Sequence, residues 1–258
     1  MSRLGQVVRP TAGTLILLLA PASSSSAQHV TKQAPAQYVE GSIKAPSYLK
    51  AFVIDDRLSA LRREPGLQSM VIRRLRLGHA VFIVGISRHQ AGQPRFCRVA
   101  VTRRTRGWIH ESALAVQGRT GEDQRIMKLI EGSDGVDKIA LCRILSQRFS
   151  QSQLVPRTML QLGEEAERVA ETLSQRTRRR LAEVRGADAS LRDYYLSDAG
   201  LDRYSKLGVV FDFNESTGEF VYDGKAYREV VRRFPDGEAA SLARQRLELN
   251  NRKMARQR

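Results

Sequence analysis

Two cysteines, one tryptophan and four histidines are all that 258 residues hold of several side chains that often carry chemistry. Two cysteines cannot build the disulfide framework of a small secreted scaffold, nor the paired spacings of a zinc ribbon. His29, His79, His89 and His110 are scattered, and none stands beside another histidine or a carboxylate at ligand spacing. A glycine loop that cradles phosphate and a nucleophile elbow are both missing. The chain therefore reads as non-catalytic, with no metal and no cofactor. Long apolar runs are missing too: a stretch such as Leu15 to Ala20 is far short of the ~20 residues that a spanning helix needs.

Acidic residues are the other shortage. Against 27 Asp and Glu stand 43 Lys and Arg, a net charge of +16 and a pI ≈ 10.6. Such an excess speaks to partners and solubility, not to fold. Nucleic acid, anionic lipid headgroups and acidic wall polymers are the partners it suits. A solvated, arginine-decorated surface is the alternative, since basic residues are spread along the whole chain. The apolar fraction of 41% is enough for a real core, and the length allows one large domain or two small ones.

Residues 1–27 have the layout of a secretory signal peptide. Arg3 and Arg9 make a positive start, Leu15 to Ala20 an apolar centre, and Ser25-Ser26-Ala27 a small-residue cleavage site before Gln28. On that reading the protein is exported, to the periplasm or the extracellular space, and the mature chain carries +14 once two arginines and no acids are removed. Residues 28–47, rich in Ala, Pro and Gln, read as a flexible linker. An oxidising compartment permits a bridge between Cys97 and Cys142; isolated cysteines otherwise serve as buried apolar filler.

Three short apolar runs follow: Phe52-Val53-Ile54, Val81 to Val84, and Phe96 to Val101. Gly66, Gly78, Gly92-Gln93-Pro94 and Gly107 punctuate them. Short strands at this spacing predict a small β-barrel over 48–118. Residues 45–118 hold 13 Lys and Arg against four acids, so much of the basic charge falls here. Arg103, Arg104 and Arg106 stand beside Trp108. Guanidinium forks fit carboxylates and phosphates and stack on rings, so these four are the candidate ligand-binding residues. The alternative is a core tryptophan next to a solvated hairpin.

The order of residues here resembles the bacterial SH3-like domain. Leu61-Arg62-Arg63-Glu64-Pro65-Gly66 precedes Val71-Ile72, Leu75, Gly78 and Val81 to Val84. Then come Phe96-Cys97-Arg98-Val99 and Gly107-Trp108-Ile109, with Leu114 closing the series. The likeness covers about 52–116; it departs at Arg104, where the family often has Gly, and at Phe96, where it often has Trp. It implies a small barrel that binds peptides or peptidoglycan and sits beside other envelope modules.

Beyond Gln117 the apolar period becomes helical. Helices are predicted over 122–130, 134–149 and 153–184, the last with a stripe of Met159, Leu162, Ala166, Val169, Ala170 and Leu173. Glu164, Glu165 and Glu167 are read as solvated charges pairing with Arg168. Another helix is predicted over 189–207, around Leu191, Tyr194, Tyr195, Leu201 and Tyr204. Val209 to Phe213 and Glu219 to Tyr222 flank a turn and predict an inserted hairpin over 209–222. The stretch Leu141 to Ser150 is echoed by Ala226 to Pro235: in each, a helix ends at Arg-Phe and a new helix starts a few residues on. That pattern resembles tetratricopeptide-like helix pairs, with an ordinary bundle as the alternative. Asn250 to Arg258 reads as a frayed basic tail.

The sequence thus predicts a β-plus-α, multidomain chain: an SH3-like barrel at 48–118, a helical tetratricopeptide-like domain at 119–250 and a tail at 251–258. The function it suggests is that of a non-catalytic, exported binding or scaffold protein of the bacterial envelope. Its expected partners are a protein, and a peptide or peptidoglycan. The alternatives are an accessory protein of a wall hydrolase, or a charge-driven nucleic-acid binder, which export disfavours.

Overall fold

Period-two alternation shows most clearly at Phe96–Ala100, where Cys97 and Val99 are buried in one core and Arg98 between them is exposed. This segment is β5 of a seven-stranded antiparallel sheet in a computed structural model that describes residues 48–87, 92, 94–183, 200–214 and 217–255. The signal peptide and linker predicted over 1–47, and most of the helix predicted over 189–207, lie outside those residues. The other strands are β1 (Leu49–Val53), β2 (Ala60–Arg62), β3 (Val71–Arg74), β4 (Ala80–Ile86), β6 (Arg106–His110) and β7 (Leu114–Val116). Their order is β3-β2-β6-β5-β4-β1-β7.

The sheet does not close, which corrects the barrel expected over 48–118. β3 and β7 stand at its two ends and do not pair with each other. The physical reason lies at β7. Leu114 and Val116 face the sheet core, while Ala115 joins the core of the helices. The helices thus cover one face of β7, and on its free edge the Leu114 carbonyl accepts from Arg125 in place of a closing strand.

From Ala51 onward strand β1 is buried on both faces. Ala51 and Val53 pack with Leu61, Val81, Val99 and Ile109 in the sheet core. Phe52, followed by Ile54 just beyond the strand, packs with Ile126, Ile139 and Leu145 among the helices. The Phe52 ring meets Phe149 edge-on at 6.4 Å, and the Arg148 guanidinium lies 5.1 Å from its centre.

The helical part holds α1 (Glu122–Glu131), α2 (Gly135–Arg148), α3 (Val155–Glu183), α4 (Leu201–Ser205), α5 (Lys225–Arg233) and α6 (Glu238–Ala255). Between α4 and α5 lies an antiparallel hairpin of β8 (Phe211–Asn214) and β9 (Glu219–Tyr222). Helix α6 runs to Ala255, so the stretch read as a frayed tail is largely helix. Along α3 the predicted stripe is buried at Met159, Ala166, Val169, Ala170 and Leu173. Gly163 lies on the same helix, and a Cβ there would fall 2.3 Å from Cε1 of Tyr227 on α5. Only a residue without a side chain lets α5 approach α3 this closely.

The sequence echo has a geometric counterpart. The Phe149 N–H donates to Leu145 O at 3.0 Å and Phe149 O accepts from Ser152 N at 2.9 Å. At the end of α5 the same two bonds recur, from Phe234 N to Val230 O (2.9 Å) and from Gly237 N to Phe234 O (3.3 Å). Each pair of helices, α2–α3 and α5–α6, is thus joined by a turn closed in the same way.

Two carboxylates of the helical part are buried, one of them where the sequence suggests a solvated one. Glu122, at the start of α1, pairs with Arg119 and with Arg125. Arg125 also donates to Ser112 O at 3.1 Å and to Leu114 O, which ties α1 to the last turn of the sheet. Glu165 corrects the reading of its helix face. It is buried and accepts from the Gly135 N–H at 2.7 Å, with Lys138 Nζ at 3.7 Å and Arg168 as a further partner. A side chain of α3 therefore caps the first turn of α2, whose free N–H groups need an acceptor.

Candidate functional site

Strand register builds an arginine-rich face on the sheet. β6 lies between β2 and β5, and Trp108 stands opposite Arg62 on one side and Arg98 on the other. Directly opposed residues have their Cβ atoms about 4.5–5.5 Å apart, so the indole is flanked by two arginines that are distant in sequence. Their face is opposite to that of Cys97, Val99 and Ile109, which enter the sheet core. Phe96 and His110 share the outer face, with ring centres 5.5 Å apart.

Of the four predicted site residues, Arg103 and Arg104 are exposed in the turn between β5 and β6, and Arg106 is exposed at the start of β6. Trp108 is 7% exposed. Its ring is buried rather than a free platform. Thr102 holds the turn, its Oγ1 accepting from Thr105 N at 3.0 Å and from Arg104 N at 3.3 Å. Gly107 is required where β6 crosses β2: a Cβ there would lie 2.7 Å from Arg62 O.

Charge pairing differs along the chain: many helical arginines are matched, though Arg143, Arg148 and Arg244 among others have no carboxylate partner among the described residues. Arg119, Arg125, Arg157, Arg168, Arg178, Arg228, Arg232, Arg233 and Arg246 each have a carboxylate partner. Among the described residues no carboxylate pairs with Arg62, Arg63, Arg73, Arg74, Arg98, Arg103, Arg104 or Arg106. Unpaired guanidiniums gathered on neighbouring strands and turns repel each other and favour an anion from outside. Sequence reading missed Arg62 and Arg98. The signal for Arg98 was its outward place in the β5 alternation; for Arg62 there was none without the β2–β6 pairing.

Other arrangements carry less. Cys97 and His110 lie on opposite faces of the sheet, and burial pushes the Cys97 thiol up to about 11. Cys142, in α2, is pushed up to about 12 by burial; both are free thiols in different cores. His110 Nδ1 accepts from Ser112 N at 3.1 Å. A cleft of about 920 Å³ lies between α3, the β8–β9 hairpin and α6. Most of its charges are matched within the chain, Glu164 and Glu167 by Arg246 and Glu219 by Arg178, with Glu171 left over among the described residues. Among the described residues no three of His, Cys, Asp and Glu converge as metal ligands would, and no helix is long and apolar enough to cross a membrane.

No known protein family matches the chain, and neither does any curated protein or solved structure.

Proposed function

We propose that this is a non-catalytic, exported binding and scaffold protein of the bacterial envelope. In this reading the SH3-like sheet takes an anionic ligand, a peptide or a wall polymer, at its Arg103–Trp108 end. The tetratricopeptide-like helix pairs dock a protein partner. The observation that carries the reading is the cluster itself: eight arginines on β2, β3, β5, β6 and their turns have no carboxylate partner among the described residues, and Glu64 is the one acid from 62 to 106. Planar forks held on strands suit carboxylate and phosphate oxygens in a fixed array.

The test is retention on insoluble peptidoglycan at low salt and at ~0.3 M salt, where charges beyond a few ångströms are screened. The comparison protein is Arg103→Ala/Arg104→Ala/Arg106→Ala, which leaves the buried Trp108 in place. Retention of the native protein at the higher salt, lost in the variant, supports the reading. Equal retention of both removes the site. A salt-sensitive, sequence-blind affinity for DNA without peptidoglycan binding would favour the nucleic-acid alternative.

A further inference from the structure

The β2–β3 hairpin carries a surface that the anionic-ligand reading does not use. Eleven large apolar side chains are well exposed among the described residues, and four of them fall within six positions. They are Leu67 (52%), Met70 (57%), Val71 (42%) and Ile72 (46%). Single exposed apolar residues are ordinary, but a cluster at one tip is not. The loop is also partly braced by its own bonds. Arg63 N donates to Met70 O at 3.0 Å, Ser69 N to Gly66 O at 3.2 Å, Glu64 N to Ser69 Oγ at 2.9 Å, and Arg62 Nη1 to Ser69 O at 2.7 Å. Backbone groups already answered within the loop lose little on leaving water.

Register places this tip beside the arginine turn. β2 and β6 are antiparallel, with Arg62 opposite Trp108, so the turn after β2 and the turn before β6 leave the sheet at the same end. An apolar tip thus projects next to Arg103, Arg104 and Arg106, and Arg62, Arg63, Arg73 and Arg74 flank it on its own strands. Glu64 is the one acid between 62 and 76.

We propose that these two adjacent turns seat the protein on an anionic lipid bilayer, with Leu67 and Met70 entering the acyl boundary and the arginines at headgroup level. Apolar insertion combined with a basic rim is the pairing of forces that interfacial binding needs. Arginine stems are long enough to lie along the apolar zone while their heads stay with the phosphates. A strand partner fits less well. β3 is four residues long, its pairing with β2 shifts register between Leu61 and Arg62, and both features blunt an edge. Such a partner would also leave Leu67 and Met70, in the turn before β3, uncovered.

The proposal rests on the reading of this end as an anion site, and the experiment separates the two. The protein is sedimented with vesicles of phosphatidylcholine alone, and with vesicles holding about a third phosphatidylglycerol, at low salt and at ~0.3 M salt. Leu67→Ser/Met70→Ser and Arg103→Gln/Arg104→Gln are measured beside it, with circular dichroism and a melt to check folding. Expected are binding to the anionic vesicles only and a loss of about tenfold or more in the serine variant. That variant should keep its fold and its retention on peptidoglycan. Equal binding by the serine variant means charge alone and overturns the insertion. Retention on peptidoglycan without any vesicle binding overturns the lipid proposal and leaves the anion reading standing; failure on both sinks both. Binding to an acidic extended peptide that the serine variant retains, without vesicle binding, replaces the bilayer with a strand partner.

Discussion

Replacing Gly163 by alanine should destabilise the protein, against the usual rule for glycine in a helix. In an exposed helix interior the change gains about 1 kcal/mol from propensity alone. Here the new Cβ would lie 2.3, 2.6 and 2.8 Å from Cε1, Cζ and Cδ1 of Tyr227. Carbon atoms rest at about 3.5–4.0 Å, so a shift of more than about 1 Å is needed. Tyr227 is fully buried, so the ring has no open side to swing towards, and the shift must fall on the α3–α5 contact. Overpacking of this kind costs ~1–3 kcal/mol and occasionally more. With the severity of these distances the upper end applies, and the net loss should be about 2 kcal/mol. For a chain of this size that lowers Tm by about 4–8 °C. The assay is thermal and urea unfolding followed by circular dichroism, run as a cycle with Tyr227→Ala and the double variant. In the double variant the added methyl enters vacated space, so the two losses should fall short of their sum by about 1 kcal/mol or more. A raised Tm for Gly163→Ala, or strict additivity, would refute the argument.

Glu165→Ala should cost about 2–4 kcal/mol in urea unfolding, because it strips the acceptor from Gly135 N and leaves Lys138 without its buried partner. Glu165→Gln, which keeps an acceptor, should lose less. Both thiols, pushed up to about 11 and about 12, should stay silent to an aromatic disulfide reagent at neutral pH and react together once urea unfolds the chain. Burial first, then Arg73, lowers the pKa of His79 in the folded state. The unfolded chain therefore binds the extra proton first, so this group's contribution is intact above pH ~6.5 and is lost as pH falls below it. The urea midpoint of the native protein should drop more steeply over that interval than that of His79→Asn; parallel profiles would count against it.

Local pattern explains which parts of this molecule can be read from sequence. The alternation of Phe96 to Val101 and the three-four spacing along 159–173 are set by neighbours on the same segment, and both stand in the structure. The Phe149 and Phe234 helix ends were visible for the same reason, as each turn is closed by bonds within eight residues. What depends on distant segments was hidden. Glu165 sits one turn from Val169 on α3, and nothing nearby marks it as the acceptor for α2. Closure of the sheet was misread because the cover over β7 comes from helices that follow it. The candidate site divides along the same line. Arg103, Arg104 and Arg106 are contiguous and were legible, whereas Arg62 and Arg98 meet Trp108 only through register.

Strand β1 has a consequence for how the chain comes apart. Ala51 and Val53 are anchored among sheet side chains, while Phe52 and Ile54 are anchored among helical ones. Four residues therefore serve as a common wall, and neither side keeps its lining if the other melts. A slip of one position would exchange every occupant of that wall, so the strand also fixes the alignment of the two halves. Excising 48–118 as a bead would expose the Phe52 face, and pulling on the arginine end would load the helices directly through this strand. Sheet and helices should accordingly denature in a single cooperative transition.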